Sequence, residues 1–354
     1  MNQHRWMIYG ANGYSGELIA RQARESGLKP VLAGRNPDKV QGLAAVLGLE
    51  YRIFSLHNMT DIVENLKDMH LVLHCAGPFS ATSAPMLAGC MLSKTHYLDI
   101  TGEIEVFEYA HARDTSAKTA GILVCPGVGF DVIPTDCMAA ALKDALPDAH
   151  KLMLGFDSPA SVSAGTAKSS LEGLVKGGKI RENGKIRSVP LNHIVTRINF
   201  GNGEKTALTI PWGDVSTAYY TTGIPNIEVY MPISPRAVRL AGLVRWTTPL
   251  LGLGPIERGL KSMIEKRIKG PSARAREKSV SYIWGNLQNE RGDSRTGYLK
   301  TSNGYDVTIH GSLGVVRKLL GGKVSPGCIT PARLMGKAYI STLPGSSPIY
   351  ISEP

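Results

Sequence analysis

Hydrophobic and polar positions alternate along the first 130 residues in a rhythm of short apolar runs and amphipathic stretches. The apolar runs have the length of buried strands, and each is followed by a segment with helical periodicity. Strands that alternate with helices at this spacing predict βαβ units and a parallel sheet. The predicted strands are 5–9, 30–33, 51–55, 71–75, 96–100 and 121–125, and the predicted helices are 17–26, 37–47, 61–66, 84–92 and 104–120.

The rhythm changes after Pro134, where the two-residue alternation typical of antiparallel strands replaces the earlier pattern. We therefore predict an α/β chain in which a Rossmann-type parallel sheet domain, 1–135, precedes an α+β domain with a largely antiparallel sheet, 136–325. The C-terminal segment, 326–354, is a candidate to return to the first domain. In this second part the predicted strands are 151–156, 186–189, 195–199, 205–210, 227–231, 279–289, 296–300 and 306–308, and the predicted helices are 136–145, 169–176, 235–248, 255–269 and 311–320.

Length and cysteine content narrow the class of protein. The 354 residues are enough for two domains, and no run of 18 apolar residues predicts a transmembrane helix. The first ten residues lack the apolar core of a signal peptide. The five cysteines are an odd number without a Cys-x-x-Cys pair, which argues against a disulfide framework and a zinc ribbon. We therefore expect a protein of the reducing cytoplasm without a metal site.

The formal net charge of +11 is concentrated in one segment of the chain. Residues 1–130 hold 11 Lys+Arg and 12 Asp+Glu, whereas residues 236–278 hold 11 and 3. Because the basicity is local, we expect no nucleic-acid partner. The predicted helices of residues 236–278 are amphipathic, and two interpretations stay open: contact with an anionic membrane surface, and ordinary surface helices with solvated basic faces. A homodimer is a candidate assembly.

A glycine-rich turn links the first predicted strand to the first predicted helix. Residues 10–16 read GANGYSG, a G-x-x-G-x-x-G spacing that differs by one residue from the dinucleotide-binding fingerprint. Glycines at such a turn let backbone N–H groups approach a pyrophosphate at the helix N-terminus. We predict that the turn binds a dinucleotide, and a glycine-rich turn without a ligand is the alternative.

The end of the second predicted strand carries a signal for the type of dinucleotide. An NAD-preferring site usually offers a carboxylate here to the ribose 2′-hydroxyl. This sequence instead places Arg35 there, 22 positions after Gly13. Because a guanidinium pairs with a 2′-phosphate, we predict NADP(H) rather than NAD. The alternative is a solvated surface arginine.

Three further loops follow predicted strands and combine small residues with acidic ones. They read CAGPFS at 75–80, DITGE at 99–103 and PGVGFD at 126–131. The carboxyl ends of parallel strands are where an α/β sheet binds its ligand, so we expect the nicotinamide there. Asp99, Glu103 and Asp131 are each either a proton donor or a loop-capping carboxylate, and capping is the more common role.

Four ordered motifs resemble the saccharopine dehydrogenase-like superfamily, and within it the trans-acting enoyl reductases and saccharopine dehydrogenase-like oxidoreductases. The motifs are GANGYSG, CAGPFS, HYLDITGE at 96–103 and GFDVIPTD at 129–136. The resemblance implies a Rossmann domain, a second α+β domain over its carboxyl edge, and a nicotinamide-dependent reductase. The cofactor-binding residues that follow from it and from the neighbouring positions are Gly10, Asn12, Gly13, Tyr14, Ser15 and Gly16 at the phosphates, Arg35 and Asn36 at the 2′-phosphate end, and Ala76, Gly77, Pro78 and Phe79 on the nicotinamide side.

The predicted function is an NADP(H)-dependent oxidoreductase that transfers a hydride to an activated double bond. Aromatic residues such as Trp212 and Tyr230, without a cluster of arginines, favour a weakly charged or lipid-like small-molecule substrate in an enoyl-type reduction. Two alternatives stay open: an imine or amino-acid reductase of the saccharopine dehydrogenase type, and a non-catalytic NADP(H)-binding protein on a membrane or partner. The candidate proton donors are Tyr97, Asp131, His193 and Tyr219.

Overall fold

The architecture comes from a computed structural model of the chain. It describes residues 4–158, 177–191, 193–234 and 270–352, together with residues 259, 263 and 267.

The chain divides into two units, and both are discontinuous in sequence. The first unit contains the residues up to Phe130 and then Tyr305–Leu334, whereas the second contains Asp131–Gly304 and the residues from Met335 onward. The N-terminal division lies close to the expected boundary at 135. The later division differs from the expected one, because the helix after Gly304 belongs to the first unit and the residues after Leu334 belong to the second.

The first unit is built on a seven-stranded sheet with the order β15-β6-β5-β4-β1-β2-β3, and its pairings are parallel. The predicted parallel sheet is therefore confirmed. Its strands are β1 Trp6–Tyr9, β2 Val31–Gly34, β3 Tyr51–Ile53, β4 Leu71–His74, β5 His96–Asp99, β6 Leu123–Cys125 and β15 Gly327–Cys328. Its helices are α1 Tyr14–Glu25, α2 Pro37–Leu47, α3 Met59–Leu66, α4 Phe79–Ser93, α5 Ile104–His111, α6 Asp114–Ala120, α10 Gly304–Leu320 and α11 Pro331–Met335.

The central strands of this sheet are buried along their whole length. Every residue of β1, β2 and β4 is buried, which explains why these strands appear in the sequence as continuous apolar runs. Local signals place the helices between them. Asn36, for example, caps α2 by accepting a hydrogen bond from Lys39 N at 3.0 Å, and Pro37 occupies the first helical turn.

The second unit is built on a mixed sheet with the order β10-β11-β12-β7-β13-β14-β16, and β8 and β9 extend it beside β12. Strands β12 and β7 pair in parallel, while the other pairings of the described residues are antiparallel. The strands are β7 Lys151–Asp157, β8 Gly178–Glu182, β9 Lys185–Val189, β10 Val195–Asn199, β11 Glu204–Thr209, β12 Asn226–Pro232, β13 Val280–Gln288, β14 Ser294–Ser302 and β16 Tyr350–Ile351. The helices are α7 Ile133–Ala145, α8 Asp214–Thr222 and α9 Ala273–Glu277, with a 3₁₀ turn at Tyr339–Thr342.

The structure corrects several predicted elements. The predicted strand 306–308 is wrong, because these residues lie in the first turns of α10. Alternating polar and apolar residues at the start of this helix imitate the two-residue period of a strand. The single helix predicted for 104–120 is two helices, α5 and α6, that meet at Arg113.

Other predictions fall on residues that the structure does not describe. The helices predicted for 169–176 and 235–248 lie outside the described residues, and of 255–269 only residues 259, 263 and 267 are described, as helical. Membrane contact through the basic segment 236–278 therefore stays a prediction. Among the residues that the structure describes, no helix combines the length and hydropathy needed to cross a bilayer.

Candidate functional site

The glycine-rich turn between β1 and α1 lies against the loop that follows β4. Gly10 has φ +83°, a conformation that L side chains rarely adopt, and its N–H donates to Ala33 O at 2.7 Å. A Cβ atom added to Gly10 would lie 2.7 Å from the backbone nitrogen of Ala76. The sequence therefore needs glycine at this position, because the glycine-rich turn and the loop after β4 approach each other closely here.

Helix α1 begins directly above this turn. A Cβ atom added to Gly16 would collide with the carbonyl oxygen of Gly10, so only glycine lets the helix pack so closely. Gly13 occupies the N-cap and has no side chain to accept from the first N–H groups of the helix. We call the turn at residues 10–16 the glycine cradle. It combines backbone that other groups can approach closely with a helix N-terminus, and both features fit a pyrophosphate. Tyr14 and Ser15 form the first helical turn.

Asn12, in the middle of the turn, contacts the end of the neighbouring strand. A Cβ atom added to Gly34 would lie 2.9 Å from Asn12 Oδ1, so the amide group lies over the last residue of β2. Asn12 thereby joins the turn to the position where Arg35 begins the next loop.

Arg35 is exposed immediately after β2, while Asn36 is committed to capping α2. The positive charge of Arg35 acts on Tyr9, the last residue of β1, whose hydroxyl donates to Phe54 O at 3.1 Å. Burial raises the pKa of Tyr9 to about 12, and the Arg35 guanidinium opposes that rise. Arg35 therefore places positive potential at the carboxyl edge of β1 and β2, where a 2′-phosphate would need it.

The loop at 76–79 is held by a carboxylate from another segment. Glu103 accepts the N–H of Phe79 at 3.0 Å and that of Ser80 at 2.7 Å, and so caps the N-terminus of α4. The Phe79 side chain is 8% exposed, and its ring packs edge-on against His74 at 5.4 Å between centroids. Phe79 is therefore a packing residue of this loop, and Ala76 is the residue of the loop that lies against Gly10.

Asp99 joins two of the carboxyl-end loops. It is fully buried, and Oδ1 accepts the N–H groups of Thr101 at 3.0 Å and Gly127 at 2.8 Å. Oδ2 accepts the Tyr97 hydroxyl at 2.7 Å. Burial raises the pKa of Asp99 to about 6 against the effect of these donors. The sequence left two roles open for Asp99 and Glu103, proton donor and loop-capping carboxylate. Both residues make the contacts of loop-capping carboxylates.

Tyr97, one of the predicted proton donors, is enclosed in the first unit. Its side chain is 1% exposed, and its hydroxyl donates to Asp99. Burial and the adjacent Asp99 raise the pKa of Tyr97 well above its usual value. These surroundings suit a residue that positions Asp99, so among the four predicted donors Tyr97 has the least access to a substrate.

The first turns of α10 also lie at the carboxyl edge of the first sheet, which the sequence did not indicate. Thr308 Oγ1 accepts the N–H of Phe130 at 3.0 Å. The ring of Tyr305 meets that of Tyr14 edge-on, with centroids 4.9 Å apart and planes at 76°. The contact between residues 130 and 308 spans 178 positions, and no local pattern predicts it.

In the second unit, a buried acidic group lies at the start of α8. Asp214 is fully buried, and its Oδ1 lies 2.7 Å from Thr135 Oγ1. Its Oδ2 has no hydrogen-bond partner among the described residues. Burial, together with the charges of Asp136 and Asp131, raises the pKa of Asp214 well above its usual value. The arrangement favours the neutral acid.

The hydroxyl of Thr135 lies within hydrogen-bond distance of two acceptor oxygens, Asp214 Oδ1 and the carbonyl oxygen of Val132. Thr135 Oγ1 lies 3.1 Å from the carbonyl oxygen of Val132, which can only accept. A hydroxyl has a single proton, and the shorter contact, 2.7 Å, directs it to Asp214 Oδ1. This hydrogen bond favours the charged form of Asp214 and opposes the effect of burial on its pKa. Sequence reasoning did not single out Asp214, which ends the segment PWGD at 211–214.

Asp131, the second predicted proton donor, lies near this cluster. Its carbonyl oxygen accepts the indole N–H of Trp212 at 2.9 Å, and its side chain is half-buried. Asp136, one turn into α7, is fully buried and accepts the Thr221 hydroxyl. The second unit therefore gathers Asp131, Asp136 and Asp214 around the junction of α7 and α8.

The two remaining predicted donors have different surroundings. Tyr219 is half-buried on α8, where the Arg181 guanidinium lies 4.2 Å from the centre of its ring. Arg181 is itself held by Val215 O at 2.8 Å. His193 is exposed in the turn before β10, where its N–H donates to Pro190 O at 3.0 Å. The structure thus gives Asp131, Tyr219 and His193 three separate environments within the second unit.

The described residues contain five free cysteines and no group of three His, Cys, Asp or Glu side chains arranged to hold a metal ion.

Comparison with known proteins gives matches of three kinds. Residues 6–125 match the family model of the saccharopine dehydrogenase NADP-binding domain. A saccharopine dehydrogenase-like oxidoreductase from Mus musculus is 26% identical over 211 residues, 52% of this chain and 48% of that protein. A trans-acting enoyl reductase from Mycobacterium tuberculosis is 32% identical over 145 residues, 37% of this chain and 33% of that protein.

The fold as a whole also has a counterpart among solved structures. The apo saccharopine dehydrogenase (L-Glu forming) from Saccharomyces cerevisiae matches with a TM-score of 0.70 at 10% identity, over 99% of this chain and 100% of that one. The predicted fold class is therefore confirmed. The chain matches about half the length of the mouse relative and a third of the mycobacterial one.

Proposed function

Because these matches confirm the predicted resemblance to the saccharopine dehydrogenase-like superfamily, we propose that the protein is an NADP(H)-dependent oxidoreductase. The reaction is the transfer of a hydride to an activated double bond of a weakly charged or lipid-like small molecule. The observation that carries the proposal is the glycine cradle at the start of α1 with Arg35 beside it. When bound, NADPH would supply the hydride.

The residues of the chain have separate tasks in this proposal. The N–H groups at the start of α1 hold the pyrophosphate, and Gly10 and Gly16 allow the backbone to approach it. Arg35 pairs with the 2′-phosphate. Glu103 and Asp99 hold the loops on the nicotinamide side in place through backbone N–H groups.

The enoyl-type substrate is supported by the mycobacterial relative, whose name gives that activity. The yeast saccharopine dehydrogenase supports the fold alone at 10% identity. Purified protein is tested with NADPH and a trans-2-enoyl thioester, and in parallel with keto acids plus amines. We expect NADPH oxidation with the enoyl substrate. Oxidation only with keto acid plus amine would instead support the imine or amino-acid reductase.

The cofactor is tested without a known substrate by titrating NADPH and NADH and following nicotinamide fluorescence. We expect tighter binding of NADPH. Arg35→Ser should weaken NADPH binding by about tenfold or more and leave NADH binding unchanged, because a charged hydrogen bond to phosphate is lost. Arg21→Ser, on the exposed side of α1 and paired with Glu17, is the matched control. Wild-type protein that binds neither nucleotide would overturn the proposal.

The proposed compartment is the cytoplasm. The proposal is supported by the five cysteines, all of which are free, as is usual for proteins of a reducing compartment. Peripheral membrane contact through residues 236–278 is tested by liposome flotation of wild type against a charge-reversed segment. Flotation of wild type alone on anionic vesicles is the expected result for contact.

A further inference from the structure

The first two turns of α10 lie beside the glycine-rich turn of the first unit. The Thr308 hydroxyl accepts the N–H of Phe130, so the helix is attached to the loop that follows β6. A Cβ atom added to Gly129 would lie 3.2 Å from Thr308 Oγ1, which leaves no gap between helix and loop. The start of α10 is therefore part of the carboxyl edge of the first sheet, although about 180 residues separate it from β6.

Tyr14 and Tyr305 bring two aromatic rings to the N-terminus of α1. Tyr14 is the first residue of that helix, and Tyr305 lies in the first turn of α10. Their rings meet edge-on at 4.9 Å, and both side chains are half-buried rather than enclosed in a core. Aromatic surface is thus kept partly open next to the N–H groups of α1.

We propose that Tyr14 and Tyr305 form an aromatic gate beside the glycine cradle, so that α10 supplies a second wall of the dinucleotide site. The gate excludes water from the bound pyrophosphate, and an interaction between helix N–H groups and phosphate is stronger where water is absent. This inference rests on the proposed NADP(H) binding and adds a residue, Tyr305, that the glycine-rich motif does not contain.

The test measures nucleotide binding by nicotinamide fluorescence for wild type, Tyr305→Ala and Tyr305→Leu. Loss of the ring should raise the Kd by about two- to tenfold, because water then reaches the pyrophosphate and weakens its hydrogen bonds to the N–H groups of α1. The factor should be the same for NADPH and NADH, because the gate acts at the pyrophosphate that both share. The Arg35→Ser variant, in contrast, should affect NADPH alone.

The pairing of the two rings is tested with Tyr14→Ala and the double variant. If the rings act together, removing the second ring should add little to the effect of removing the first. The Kd of the double variant for NADPH should then be at most about twofold higher than that of whichever single variant binds more weakly. Tyr51→Ala is the matched control, because Tyr51 is 48% exposed at the start of β3, on the opposite edge of the sheet. Its Kd should equal that of wild type.

Thermal unfolding of each variant shows whether it folds. If Tyr305→Ala does not fold, nucleotide binding by Tyr305→Leu decides whether the ring is needed. If a folded Tyr305 variant binds both nucleotides with the Kd of the wild-type protein, the proposed aromatic gate is wrong, while the proposed cofactor still stands. Wild-type protein without affinity for either nucleotide would overturn the proposed function itself. An equal loss in Tyr51→Ala would also contradict the gate, because the effect would then not be specific to the cradle.

Discussion

Two buried aspartates, one in each unit, have opposite hydrogen-bond environments. Asp99 and Asp214 are both fully buried. Asp99 accepts from three donors through its two oxygens, whereas Asp214 has one oxygen without a partner among the described residues. The difference indicates that Asp99 is a structural clamp and that the surroundings of Asp214 favour its neutral form, because burial raises its pKa.

The comparison has a physical basis in the cost of burying charge. A carboxylate that accepts several hydrogen bonds can be buried as an ion, while a carboxyl group with few donors is buried more easily with its proton. The pKa of Asp99 rises only to about 6, and that of Asp214 rises well above its usual value with Asp131 and Asp136 nearby.

Removal of the Asp99 carboxyl group should have the largest effect. Asp99→Ala leaves Tyr97 Oη, Thr101 N and Gly127 N without their acceptor, and each unpaired buried donor costs about 1–3 kcal/mol. We expect a loss of about 3–5 kcal/mol in the free energy of unfolding, measured with urea.

Asp99→Asn is the informative partner of that variant. The amide keeps an oxygen for the two N–H groups and offers its NH₂ to Tyr97, so its loss should be below about 2 kcal/mol. Asp38→Ala, an exposed acid in the first turn of α2, is the surface control. Equal losses for the alanine and asparagine variants would contradict the role of Asp99 as a hydrogen-bonded clamp.

The pH dependence of the first unit should come second in size. Burial lowers the pKa of His74 from its ordinary value of 6.5 to about 3. As pH falls below 6.5, His74 therefore binds a proton in the unfolded chain before it does so in the folded protein. The stability from His74 is therefore present above pH 6.5 and lost as pH falls, by about 2 kcal/mol at pH 5. Asp99, with a raised pKa, binds its proton more tightly when folded and offsets about 1 kcal/mol of this loss.

Asp99→Asn removes that offset and should make stability fall more steeply between pH 7 and 5 than in wild type. Urea unfolding at pH 7, 6 and 5 measures the slope. A variant with the same slope as wild type would show that Asp99 does not bind a proton in this range.

How far the sequence predicts these features depends on the separation of the contacting residues. The glycine-rich turn arises from residues within a few positions of one another, and the motif predicted its location. The capping of α2 by Asn36 is equally local, although the sequence analysis assigned Asn36 to the 2′-phosphate end of the cofactor. Thr135 and Asp214 are 79 positions apart, and Phe130 and Thr308 are 178 apart. Such contacts depend on the tertiary fold. Periodicity therefore predicted residues 311–320 of α10 as a helix but could not place its first turns at the carboxyl edge of the sheet, and motif spacing could not indicate the surroundings of Asp214.

Loss of the Glu103 cap should have a moderate effect. Glu103→Ala leaves the N–H groups of Phe79 and Ser80 without their acceptor at the start of α4, and loss of a helix cap costs about 1–2 kcal/mol. Glu103→Gln keeps one acceptor oxygen and should lose less. Glu25→Ala, an exposed acid at the end of α1, should change urea unfolding by less than about 0.5 kcal/mol. A loss as small as that control would contradict the capping role.

Asp214→Asn should have the smallest effect on stability, because asparagine has the shape of a neutral aspartic acid. A group whose pKa is raised on folding stabilises the protein at low pH, and this stability is lost as pH rises. We therefore expect less than about 1 kcal/mol of change near pH 3.5, below the ordinary pKa of aspartate, and a variant that is more stable than wild type at pH 8. Asp144→Asn, at an exposed ion pair with Lys337, is the control. A variant destabilised by several kcal/mol at both pH values would mean that Asp214 is buried as a carboxylate, and the contrast with Asp99 would then disappear.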